Sequence, residues 1–144
     1  MPIQFYFTDT TVSLLERKRL KLFIESIFDK NNRQLSSLTI IFCSDEYLLD
    51  INKQFLQHDY YTDIITFNLS NDLSIIEGEI YISIDRVKDN ALSHKVTIKQ
   101  ELHRVIFHGV LHLCGYKDKS IKAKKSMTLQ EDYSLERYMS LDLY

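Results

Sequence analysis

One run governs what this chain can fold into: TIKQELHRVIFHGVLHLCG, from Thr97 to Gly115. Thr97, with Gln100 three residues later, makes a capping box that opens a helix. Gly115 supplies the residue type through which a helix most easily ends, in a left-handed conformation. At about 100° per residue, Ile98, Leu102, Val105, Ile106, Gly109 and Leu113 share one apolar face. His108 and His112 border that face, with Glu101 and Arg104 on the same polar shoulder, and the wheel turns His103 outward to the surface. A glycine inside a helix costs about 1 kcal/mol relative to alanine. Gly109, in the middle of the apolar face, therefore marks a place where another element comes close.

The same run carries chemistry. His108 and His112 lie one helical turn apart, so their imidazoles project from one face and can share a cation. The turn after Gly115 can return Asp118 to the same point. Two histidines and a carboxylate leave at least one coordination position open, which is the arrangement of a catalytic metal rather than a structural one. The chain has only 3 glycines and two fall inside this run, so the pattern is more specific than a bare histidine pair. Cys114 has no second cysteine nearby and reads as a small packed residue. In HExxH hydrolases the residue after the first histidine is a glutamate that serves as general base; here it is Gly109. Either the metal activates water with little help, or Glu101 assists from about 10 Å along the helix axis.

The remaining elements set the class. Ile3–Phe7 alternates and reads as a strand. Ser13 and Glu16 fit a capping box for a helix to about Lys30, with Leu15, Leu22, Phe23 and Ile27 as its stripe. Residues 38–42 read as a buried strand, and Ser44 starts a short helix to about Phe55. Strands follow at about 63–68 and 78–84, joined by the SNDLS loop, then a short helix over 85–92 and a last helix from about 120. The result is an α+β protein: a small mixed sheet of about four strands with about five helices, one domain over 1–144. The metal site falls on the penultimate, long helix and the turn after it. The apolar runs are far too short for a membrane span and the N-terminus lacks a signal-peptide pattern. Cys43 and Cys114 form no framework, which points to a reducing cytoplasm. A net charge of −2 gives no global attraction to nucleic acid, so any RNA contact must be local.

Set against known motifs, HGVLHLCGYKD resembles HGxLHLxGYDH, the signature of the YbeY-type endoribonucleases. The matches are His108, Gly109, Leu111, His112, Leu113, Gly115 and Tyr116. Upstream, INKQFLQHDYYTDIITFN is similar to that family's LNxxYRxxDxPTDVLSFP at Asn52, Asp59, Thr62, Asp63 and Phe67. Gly78-Glu79-Ile80, Met127 and Glu131 extend the likeness, which covers roughly residues 40–131.

The resemblance implies a zinc-dependent single-strand endoribonuclease of ribosomal RNA maturation and ribosome quality control. It also implies one Zn2+ per chain on His108, His112 and Asp118, and ribosomal RNA and the small subunit as partners. The departures bear on the site. Asp118 stands where the family has its third histidine, which adds a negative charge and a harder donor. Lys117 replaces the family's Asp, Leu56 its Arg and Tyr61 its Pro. Arg104 is then the candidate cation beside the metal, and Arg104 and Glu101 are the candidate catalytic residues. Lys117, Lys119, Lys122, Lys124 and Lys125 form a basic cluster that suits phosphate or is simply a solvated face. His58 and Tyr60 could line the cleft and stack a base. The residues alone also allow a non-catalytic ribosome-associated factor with a structural metal, or a metal-dependent hydrolase of another substrate.

Overall fold

The computed structural model describes residues 2–72 and 74–140. Its elements are β1 (Ile3–Phe7), α1 (Arg17–Lys30), β2 (Gln34–Cys43), α2 (Asp45–Leu56), β3 (Ile64–Asn68), β4 (Ile75–Ser83), α3 (Ile84–His94), α4 (Ile98–Leu113) and α5 (Ile121–Ser140). Among the described residues the four strands form one sheet in the order β1-β2-β4-β3. β1, β2 and β4 run parallel, and β3 pairs antiparallel with β4. This is the mixed-sheet α+β architecture expected from the chain. Leu73, in the loop between β3 and β4, and residues 141–144 lie outside the described residues. Among those described, no helix is long and apolar enough to cross a membrane.

α4 is the centre of the molecule. It begins as the sequence dictates: Thr97 Oγ1 accepts from the Gln100 backbone N–H, and the Gln100 side chain accepts from that of Thr97. From Glu101 to Cys114 every residue is buried except Arg104, His108 and His112. Those three recur every fourth position, so one open stripe runs along an otherwise enclosed helix. The close approach expected at Gly109 is present. A Cβ there would lie 2.8 Å from Ile64 Cδ1 on β3 and 3.0 Å from Ile80 Cδ1 on β4. Gly78 makes the reciprocal space in β4, where a Cβ would meet Leu113 at 2.7 Å. The helix can therefore lie directly on the sheet.

Three expectations are corrected. α1 starts at Arg17, not near Ser13: Glu16 is left-handed (φ 54°) and no side chain caps the helix. The physical reason is Leu14. The chain breaks at Glu16, and Leu14 before the break is in the core at 5% exposure, with its carbonyl accepting from Arg17 Nε at 3.2 Å. The stripe itself is Leu20, Ile24, Ile27 and Phe28, while Leu15 and Leu22 are 67% and 55% exposed. β2 begins at Gln34, four residues before the strand expected at 38. His103 is buried, not on the surface: it stacks on Tyr138 of α5 at 5.1 Å, and its Nδ1 donates to the Lys99 carbonyl at 2.7 Å.

Candidate metal centre

The open stripe of α4 holds His108 and His112 with their ring centroids 4.6 Å apart. The helix ends beside them. Gly115 takes a φ of 105°, and Arg33 donates to the Cys114 carbonyl from Nε (3.2 Å) and Nη2 (3.0 Å). Those bonds satisfy a carbonyl in the last turn and fix the direction in which the chain leaves. The turn brings Asp118 back as expected: its Oδ2 lies 3.4 Å from His108 Nε2 and 3.2 Å from His112 Nε2. The three ligand atoms lie within 4.8 Å of one another. A tetrahedral ion holding such nitrogens and oxygens at roughly 2.0–2.2 Å needs ligand separations of about 3.3 Å, so these residues fit a small divalent cation.

Glu131 of α5 orients the first ligand. Its Oε2 sits 2.6 Å from His108 Nδ1. A carboxylate only accepts, so Nδ1 carries the hydrogen and the Nε2 lone pair is left for a metal, the usual support of a ligating histidine. Glu131 also accepts from Arg104 Nη1 at 3.3 Å, and Arg104 Nη2 pairs with Asp132 at 2.7 Å. Burial disfavours protonation of His108, but Glu131, Asp118 and Asp63 together outweigh it and raise its pKa. Burial likewise opposes the charge on Arg104, and Asp132 and Glu131 overcome it. Asp63, at the approach to β3, is pushed above the usual carboxylate range by burial, with His108 partly opposing the shift.

Arg104 and His108 of the stripe open onto a cleft of about 460 Å³, and His112 is not among its lining residues. His108, Asp118, Asp63, Arg104, Glu101 and Lys124 are among the side chains lining it. Its carboxylates outnumber its permanent cations, an environment that draws a divalent ion. Of the basic cluster, Lys124 reaches the cleft wall, while Lys117, Lys122 and Lys125 are exposed and do not line it. His58 is not among the lining residues either; it stacks on Tyr60, whose hydroxyl is hydrogen-bonded to its Nδ1 at 2.9 Å. Sequence reasoning gave no role to Glu131, Asp63, Asn90 or His94, all of which face the cleft. The family motifs marked Glu131 and Asp63 as matches; nothing local marked Asn90 or His94.

Two imidazoles and a carboxylate converging beside an open cleft, with a buried acid behind one ring, are a group that could hold a metal ion. A family model described as Endoribonuclease YbeY matches residues 5–139, and the chain belongs to that family. An Endoribonuclease YbeY of Cytophaga hutchinsonii is 53% identical over 133 residues, 92% of this chain and 93% of the relative. Another, of Parabacteroides distasonis, is 38% identical over 135 residues, 94% of each. The solution structure of a Thermotoga maritima protein superposes with a TM-score of 0.66 at 28% identity, covering 96% of this chain and 89% of that one. This chain is thus an enzyme of the nuclease class, a hydrolase.

Proposed function

We propose that this chain is a zinc-dependent single-strand endoribonuclease of ribosomal RNA maturation and ribosome quality control. It would work in the cytoplasm on RNA of the small ribosomal subunit. The observation that carries the reading is the convergence of His108 Nε2 and His112 Nε2 on Asp118 Oδ2, in a chain of this family. His108, His112 and Asp118 would hold one zinc ion. Bound there, zinc supplies a water of lowered pKa and polarises a phosphoryl oxygen. The Nδ1–H bond to Glu131 keeps His108 in the ligating tautomer. Arg104, held at both nitrogens by α5, presents a fixed positive charge where the phosphodiester gains negative charge. Lys124 adds a second cation to the cleft lining, and the exposed Lys117, Lys122 and Lys125 would extend a path for the backbone beyond the cleft. Glu101 lines the same wall as Arg104, one turn earlier on α4.

The test pairs metal analysis of the purified protein with cleavage of a single-stranded RNA, before and after a chelator and after zinc is restored. The reading expects about one zinc per chain and cleavage that follows it. Cleavage indifferent to the chelator, or none with metal bound, would overturn it.

A further inference from the structure

The cleft has a second end. Asn90 and His94 lie one turn apart on α3, on the face that lines the same cleft as His108 and Asp118. His94 is exposed, with 61% of its side chain open to solvent, but its Nδ1 lies 3.4 Å from Oε1 of Glu101, whose side chain is only 5% exposed. A carboxylate that deeply enclosed is costly unless it is partnered. Here the partner is an imidazole on the cleft wall. The carboxylate only accepts, so Nδ1 is the donor, and in the neutral ring Nε2 is left as an acceptor. One turn away, the Asn90 side chain offers both a donor and an acceptor.

An acceptor and an amide side by side match a hydroxyl, which donates to one and accepts from the other. Glu101 lies seven residues before His108 on α4, about 10 Å along the axis. That places His94, in contact with Glu101, a nucleotide or so from the metal ligands, with Asn90 one turn earlier on α3 in the same cleft lining. We infer that Asn90 and His94 form a ribose subsite that reads the 2′-hydroxyl of a nucleotide neighbouring the scissile phosphate, with Glu101 as the positioning residue. Such a contact is what lets a protein tell RNA from DNA at a given position. The inference rests on the nuclease reading above and adds its sugar specificity. It also gives the buried Glu101 a purpose distinct from activating water.

The test uses the zinc-loaded enzyme and a set of RNA oligonucleotides, each with one 2′-deoxy residue near the cleavage site. Wild type should lose about tenfold in kcat/KM at one position where cleavage still occurs. His94→Ala should lose about tenfold on the all-ribose strand and nothing further on that deoxy strand. Asn90→Ala should show the same loss of sensitivity. Glu101→Gln should weaken it, because an amide no longer fixes the Nδ1 hydrogen. Zinc content should be unchanged in all three variants. If Glu101 only stabilised the start of α4 through its charge, Glu101→Gln would lower the melting temperature and leave the deoxy effect intact. Additive losses in the His94→Ala enzyme, or no sensitive position in wild type, overturn the subsite and leave the nuclease standing. Failure of the zinc-loaded wild type to cleave any of the RNAs overturns both.

Discussion

The two sides of α4 obey different rules. The enclosed side lies on the sheet at van der Waals distance, with Gly109 against Ile64 and Ile80 and with Leu102, Ile106 and Val110 fully buried. Where α4 meets the sheet the contacts are apolar, and shape sets the position of the helix. On the open side, Arg104, His108 and His112 each meet a polar partner brought from elsewhere: Glu131 and Asp132 from α5, and Asp118 from the turn. Shape places these residues, and their partners aim them. The lesson is an asymmetry. Damage to the open side should remove the site and spare the fold, whereas damage to the enclosed side removes the fold and takes the site with it.

The strongest break of that comparison is on the open side. The His108→Ala, His112→Ala double variant should fall from about one metal ion per chain to none, and RNA cleavage should fall to the chelated background. Its thermal unfolding in chelator should match that of metal-free wild type, since neither ring belongs to the apolar core. Elemental analysis and a circular-dichroism melt decide the matter. A double variant that keeps its metal would show that the ligands lie elsewhere.

On the enclosed side the corresponding change is Gly109→Val. Its Cβ alone meets Ile64 and Ile80 at 3.0 Å or less, and the branched methyls crowd the sheet further. Overpacking of this kind costs about 1–3 kcal/mol. The loss should appear in chemical denaturation, while the fraction still folded binds metal with affinity within a few-fold of wild type. Metal affinity that falls well before stability would mean that the two sides are coupled more tightly than packing alone implies.

How much of this was legible in the chain follows the same division. α4 was readable because its signals are local: the capping box, the apolar spacing, and a glycine at each place where one is needed. Asp118 was readable for a similar reason, since a turn only a few residues long must return near its start. The identical kind of signal failed at Ser13 and Glu16, because burying Leu14 prevailed over a local cap. His103 was misplaced because a helical wheel finds the face toward the sheet but not a second cover, here Tyr138 of α5. Glu131 reaches His108 across 23 residues, and no local pattern encodes that contact. Asn90 and His94 sit on an exposed helix end that looks ordinary until α3 and α4 are packed side by side.

Glu131 offers the finer probe of aiming as distinct from placing. Glu131→Gln keeps the size of the side chain and an oxygen that can accept from His108 Nδ1, but removes the charge. Loss of a supporting partner of this type lowers metal affinity by about 10–100-fold. With the acceptor retained, the lower figure is expected, alongside a nearly unchanged fold. Competition with a chelator of known affinity measures it. An unchanged affinity would mean that packing alone orients His108.

The smallest effect expected concerns the cations beyond the stripe. Lys124 lines the cleft, whereas Lys122 and Lys125 stand outside it on the same helix. If the open side of α4 is the RNA path, Lys124→Gln should weaken binding a few-fold and reduce the logarithmic salt dependence by about 0.7, the share of one phosphate contact on a single strand. The Lys122→Gln, Lys125→Gln pair should change the slope by less than that single substitution, despite removing twice the charge. Fluorescence anisotropy of a labelled RNA across a salt series separates the two. A larger change from the outer pair would move the RNA path off the cleft and onto the exposed flank of α5, and the open side would then keep its metal but lose its claim to guide the strand.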